Sequence, residues 1–169
     1  MNAAVFSTCD FCDAHKADFS GEVRVLPAVF RSFGARHTFH GQVVTVKCYE
    51  DNSAVKAAVE SPGKGRVLVV DGGGSLRRAL LGGNLAAAAA HNGWAGVVID
   101  GCARDAAELC VLDLGILALA LHPMPTLRAG QGMTDVPVFV QGVQVLPGDW
   151  LYADADGLVI SARALHAVS

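Results

Sequence analysis

The sequence has no basic cluster larger than Arg77-Arg78 and no apolar run long enough to cross a bilayer. Non-specific nucleic-acid binding rests on clustered Lys and Arg facing phosphates, and a formal net charge of −3 runs against it. The apolar stretches Ile116–Leu121 and Leu85–Ala90 fall far short of the roughly 20 residues of a membrane span. Met1–Phe6 carries neither the basic start nor the long apolar stretch of a secretory leader, so the chain is expected in the cytoplasm. The five cysteines, Cys9, Cys12, Cys48, Cys102 and Cys110, are odd in number and scattered, unlike a disulfide framework. Cys9 and Cys12 make the only close pair, His15 follows, and no second ligand pair stands at zinc spacing. Internal repeats, low-complexity tracts and linkers are also missing, so residues 1–169 read as one domain.

What is present points to a buried core. Of 169 residues 52% are hydrophobic and 17% charged, enough to build a sizeable interior. Apolar surface in excess of that core is commonly covered by self-association.

The pattern alternates strand and helix. Thr8–Lys16 reads as an opening helix with Thr8 or Asp10 near its start, and Val23–Phe33 as a mixed segment ending at Gly34. Gln42–Lys47 is β-branched and predicts a strand, followed by a short helix from Asn52 or Ser53 to Glu60. Arg66–Val70 and Ala95–Ile99 are continuous apolar runs, as expected of strands covered on both faces. They stop at Asp71-Gly72-Gly73-Gly74 and at Asp100-Gly101. Between them, Ser75 can cap a helical turn through Leu81, Gly82-Gly83 interrupts it, and Asn84 can cap a second helix from Leu85 to His91. Cys102–Asp105 then opens a short helix, and Gly115–Leu121 predicts a third buried strand. The alternation implies parallel pairing. In the last third, Val136–Val140, Val143–Leu146, Leu151–Tyr152 and Leu158–Ile160 are short strands separated by turn residues. The fold class is therefore α/β, a parallel middle joined to antiparallel C-terminal strands.

Open α/β sheets place ligands at the carboxyl ends of their strands, which directs attention to Asp71–Leu85 and to Asp100–Asp105. Gly82-Gly83-Asn84-Leu85 offers bare N–H groups at a helix start, a seat for carboxylate or phosphate. Arg104 can grip a carboxylate with two prongs, and Asp105 can hold a hard cation such as Mg²⁺, which takes only one or two protein ligands. The plainer alternative leaves Arg104 and Asp105 facing solvent at a helix start, and spacing alone leans that way. Nucleotide templates fail: Arg77 stands where a dinucleotide fingerprint needs glycine, and no P-loop lysine follows. His37-x-x-His40 on an extended segment points its rings apart, and Asp154-Ala-Asp156-Gly157 lacks the closing Glu of a calcium loop and reads as a turn.

Thr45–Asn52, Val69–Ser75, Arg77–Leu80, Gly93–Gly96, Gly101–Asp105, Asp113–Gly115 and Gly148–Gly157 together resemble the RraA family, over about Thr8 to Ile160. That family contains regulators of ribonuclease E activity and class II 4-hydroxy-4-methyl-2-oxoglutarate aldolases. The resemblance implies a three-layer β/β/α swivelling (phosphohistidine-like) domain assembled as a homotrimer, with sites between subunits. It implies that Gly82, Gly83, Asn84 and Leu85 bind the carboxylate of a small 2-keto acid, that Arg104 binds substrate, and that Asp105 holds Mg²⁺ or Mn²⁺. The implied chemistry is cleavage of 4-hydroxy-4-methyl-2-oxoglutarate to two pyruvates, with oxaloacetate decarboxylation as a side activity. Both leave charge on a pyruvate enolate, for which a metal chelated by the keto acid is the electron sink. The resemblance is broken at Gly83, where the aldolases carry an acid, and the chain is expected to lack the longer C-terminal region from which they take another. Aldol cleavage needs a base for the hydroxyl proton and decarboxylation does not, so decarboxylation is expected to survive better. The loss of the acid at position 83 leaves open a shifted substrate, a replacement base such as Asp71 or Glu108, or a dead site. The alternative function is non-catalytic binding and inhibition of ribonuclease E, against which the retained Arg104-Asp105 pair counts.

Overall fold

A computed structural model describes residues 6–166; Met1–Val5, read above for a leader, lie outside the described residues. In chain order the elements are α1 (Thr8–His15), β1 (Val23–Val25), β2 (Arg31–Ser32), β3 (Phe39–Lys47), α2 (Ser53–Val59), β4 (Val67–Asp71), β5 (Ala79–Leu81) and α3 (Gly83–His91). They continue with β6 (Gly96–Ala103), α4 (Ala106–Leu109), β7 (Gly115–Leu121), β8 (Met133–Thr134), β9 (Val138–Val140), β10 (Val143–Val145), β11 (Trp150–Ala153) and β12 (Leu158–Ser161).

The apolar runs form the middle of a large mixed sheet. β3 pairs with β4, β4 with β6 and β6 with β7, all parallel, and every residue of β4 and β6 is buried. Antiparallel partners flank this middle: β11 joins β3, β12 joins β11, β1 joins β12, and β2 closes the far edge on β7. One core packs Val55 and Val59 of α2 and Leu85, Ala86 and Ala89 of α3 against Val46, Leu68, Val70, Val97 and Ile99. The other packs Val138, Val140, Val145, Leu151 and Ile160 against Val43, Val67, Val69 and Val98. Neighbouring residues of β4 thus enter opposite cores, which explains a run with no polar alternation. β9 and β10 form a separate hairpin, turned by Gln141 and Gly142, both at positive φ, as a tight two-residue turn requires.

Several local readings are corrected. Ser75–Leu81 is not a helical turn: Gly73 and Gly74 both take positive φ, and Ala79–Leu81 becomes β5, paired with Cys102 and Ala103. That partner exists because β6 does not stop at Asp100-Gly101 but runs on to Ala103. α3 starts at Gly83 with Gly82 as its cap, two residues ahead of the expected cap at Asn84. At α1 the cap is Ser7, whose hydroxyl accepts from Asp10 N–H. Thr8 instead donates its N–H and hydroxyl to Asp154 (2.8 and 2.7 Å), so the Asp154–Gly157 turn is what docks α1.

Candidate functional site

The start of α3 and the end of β6 meet because β5 leads directly into Gly82 while lying against β6. Arg104 N–H donates to Leu81 C=O (2.9 Å), continuing that pairing past the strand end. Asp105 then takes the left-handed conformation at φ 66°, ψ 47°, which costs a non-glycine residue energy, though least for Asp and Asn. The turn swings its carboxylate back so that Oδ2 accepts Gly83 N–H at 2.9 Å. Glycine at position 82 permits this approach, since a Cβ there would stand 2.8 Å from Asp105 Oδ2 and 3.3 Å from Arg104 Nε. Arg104 Nε lies 4.0 Å from the same oxygen, and both side chains remain 40% exposed, open to a ligand.

These residues form one wall of a cleft of about 420 Å³, lined by Gly82, Asn84, Leu85, Arg104, Asp105, Ala79, Asn52, Pro125, Thr126 and Arg128. The first bond of α3 to its cap runs from Ala86 N–H to Gly82 C=O (3.0 Å). The N–H groups of Asn84 and Leu85 precede it and are the orphan donors of the helix start, next to a guanidinium. Asp105 offers its second oxygen as a hard donor. Among the described residues no group of three or more His, Cys, Asp or Glu comes together, so the set suits a cation that keeps most of its waters, as Mg²⁺ and Mn²⁺ do, and not a tetrahedral zinc.

The structure thus brings Gly82, Asn84, Leu85, Arg104 and Asp105 to one cleft, with Gly83 buried beneath as the donor to Asp105. It separates the other acids from them. Asp71 accepts Gly73 N–H and Phe139 N–H (3.0 and 3.3 Å), and Asp100 accepts the Gln141 side-chain amide at 2.7 Å. Both are buried and turned to the β9–β10 hairpin, which removes Asp71 as a replacement base. Glu108 is different: a side chain at position 83 would overlap its carboxylate, so Glu108 fills the space that an acid at 83 would take. His40 stacks on Tyr152 while His37 lies 3.2 Å from Ser32 Oγ.

Sequence reasoning missed Asn52, Thr126 and Arg128. Asn52 closes the Thr45–Asn52 stretch and reads as a helix cap with no site role, yet its side chain makes no cap bond; it donates to Leu80 C=O and accepts from Thr126 and Arg128. Polar residues in a loop without periodicity gave no signal.

Comparison with known proteins bears on this cleft. The family model described as RraA-like, Aldolase/RraA, matches residues 8–160. A protein of Albidiferax ferrireducens named "Putative 4-hydroxy-4-methyl-2-oxoglutarate aldolase" is 65% identical, over 95% of this chain and 97% of the relative. A solved structure described as the RNA-processing inhibitor RraA from Thermus thermophilis is 48% identical, with TM-score 0.90 and 97% of each chain covered. Another, described as an S-adenosylmethionine:2-dimethylmenaquinone methyltransferase from Geobacillus kaustophilus, is 42% identical, with TM-score 0.88 over 95% of this chain and 97% of that one.

Proposed function

The chain belongs to the RraA-like aldolase family, and from that premise we propose that it is a divalent-metal-dependent carbon–carbon lyase of small 2-keto acids. It cleaves 4-hydroxy-4-methyl-2-oxoglutarate to two pyruvates and decarboxylates oxaloacetate. The observation that carries the reading is the junction of the α3 start with Arg104 and the exposed, left-handed Asp105 in one cleft. Asn84 and Leu85 N–H groups with Arg104 hold the carboxylate next to the keto group, fixing the substrate against Asp105. Asp105 would hold a divalent cation, which when bound would supply the electron-withdrawing centre for the keto group. In aldol cleavage the C4 hydroxyl loses its proton, the C3–C4 bond breaks, and its electrons become a pyruvate enolate that takes a proton at C3. In decarboxylation the same bond releases carbon dioxide and no hydroxyl proton moves. Glu108, whose carboxylate lies against Gly83, is the candidate for the base.

The two-sided packing of the parallel strands supports the three-layer β/β/α reading. Exposed Met124 and Leu127 beside the cleft-lining Pro125 and Thr126 support a homotrimer with the cleft at a subunit junction. A second reading, inhibition of ribonuclease E by binding, draws on the Thermus relative's description as an RNA-processing inhibitor. The experiment is oxaloacetate decarboxylation with Mg²⁺ or Mn²⁺, against EDTA and Asp105→Ala. We expect activity lost with either change, at least a hundredfold for the variant. Turnover equal in wild type and Asp105→Ala overturns the lyase and favours the inhibitor, which a pull-down with ribonuclease E then tests.

A further inference from the structure

The cleft holds a second guanidinium that the reading above does not use. Arg128 lies in the stretch between β7 and β8, which has no helix or strand of its own, yet that stretch is tied down at its middle. Buried Asp51 accepts Ala129 N–H and Gln131 N–H (2.8 and 3.1 Å), and Ser53 Oγ accepts Gly130 N–H at 3.0 Å. Buried Asn52 donates its Nδ2 to Leu80 C=O (3.2 Å), which leaves its Oδ1 as the acceptor for Thr126 Oγ1 (2.8 Å) and Arg128 Nε (3.0 Å).

One N–H of the guanidinium is therefore spent on a neutral acceptor that sets the plane of the group. Among the described residues Arg128 joins no ion pair, and its Nε bond is its only side-chain hydrogen bond. A cation oriented from behind, with both Nη groups open into a cleft, suits a carboxylate met side-on. The α3 start and Arg104 already provide for one carboxylate on the other wall, and about 420 Å³ accommodates a five- or six-carbon acid between them.

We propose that Arg128 is the specificity-determining residue for the second carboxylate of a 2-keto dicarboxylate, which spans the cleft from the α3 start to the loop. The proposal rests on the lyase reading for the orientation of the keto end. In the aldol substrate the far carboxylate lies beyond the bond that breaks and leaves intact in the second pyruvate, so Arg128 holds it throughout. In oxaloacetate the far carboxylate is itself lost as carbon dioxide. Its charge disperses as the bond breaks, so Arg128 favours the bound substrate over the transition state and improves affinity without raising turnover.

The test is calorimetric binding, with Mg²⁺ present, of 2-oxoglutarate, a dicarboxylate that the lyase does not cleave, and of pyruvate, which has one carboxylate. Arg128→Met is expected to weaken 2-oxoglutarate about tenfold or more and to leave pyruvate unchanged, with Arg128→Lys in between. For oxaloacetate, Arg128→Met raises KM about as much, with kcat unchanged or higher. Equal loss for both ligands, or loss for neither, overturns the proposal. If pyruvate binding persists and still depends on Arg104 while 2-oxoglutarate ignores Arg128→Met, this proposal alone falls. If the wild type binds neither ligand, the lyase reading falls with it.

Discussion

Two sets of acids stand at neighbouring strand ends and do opposite work. Asp71 and Asp100 are register partners on β4 and β6; both are buried, and both accept hydrogen bonds from the β9–β10 hairpin. Asp105, five residues beyond Asp100, is 40% exposed, held by one backbone N–H, and carried on a strained residue. A carboxylate whose oxygens are used up by its own protein is a fastener. One with an oxygen left over, beside a guanidinium and open donors, is free to take a ligand. The sequence shows Asp71 and Asp100 before glycines and Asp105 between Arg104 and Ala106; the bonds each makes are what separate their roles.

The comparison breaks first on stability. Asp100→Ala strips the Gln141 side-chain amide of its 2.7 Å partner and loosens the hairpin from the sheet. The expected net cost is about 2 kcal/mol, seen as a lower denaturation midpoint. Asp105→Ala, which abolishes activity in the lyase reading, is expected to change that midpoint less, because its carboxylate is exposed and the loss is confined to one hydrogen bond to Gly83 N–H and the slightly greater αL cost of alanine. Equal destabilisation by the two variants would erase the distinction between fastener and site.

A finer division lies inside the cleft wall, between Gly83 and Glu108. Gly83→Ala places a methyl group where the Glu108 carboxylate now sits, and the carboxylate is the free end of an exposed side chain that can swing away. Stability should hold or rise by up to about 1 kcal/mol, since alanine replaces glycine in a helix. If Glu108 is the base, aldol cleavage falls about tenfold in Gly83→Ala and in Glu108→Gln, while oxaloacetate decarboxylation does not. Parallel loss of both activities would place Glu108 in support of the helix start, with no proton-transfer role.

How much of this was legible follows from which forces are local. The strands β4, β6 and β7 were legible as apolar runs because burial on both faces leaves its mark residue by residue. Ser75–Leu81 was not, since a capping Ser with Leu and Arg at mixed spacing fits a helix equally well. The strand there is decided by Cys102 and Ala103, more than twenty positions later. The Gly82–Leu85 and Arg104-Asp105 halves of the cleft were legible as short chemical motifs. Arg128 was not, because its placement depends on Asn52, 76 positions away, and on a loop whose fold is written in Asp51 and Ser53 rather than in itself.

The smallest effect separates the two ends of β3. Past its C-terminal end, Asp51 anchors the Arg128 loop; its hydrogen bonds, first that from the Ser53 hydroxyl, pull its pKa down to about 2 from 3.8. A depressed carboxylate gives stability that is full above the unfolded pKa and is lost as pH falls from about 3.8 through about 2. Near the other end, His40 stacks on Tyr152 and meets His166 at 4.6 Å between ring centroids, while the Tyr152 hydroxyl bonds His166 Nδ1 and Leu165 N–H (2.6 and 2.8 Å). Burial, and then the neighbouring His166, lowers the pKa of His40 from 6.5. The neutral ring is therefore favoured by folding, and stability falls as pH drops below about 6.5. Acidification from pH 7.5 to 5.5 should lower Tm by a few degrees and increase hydrogen exchange in α1 and the segment around Leu165, leaving the Ala129–Gln131 amides protected. His40→Phe should abolish most of the pH dependence while keeping the stack. Exchange that rises first at Ala129–Gln131 would reverse the order and show that the cleft, not the aromatic end, is the acid-sensitive part of the molecule.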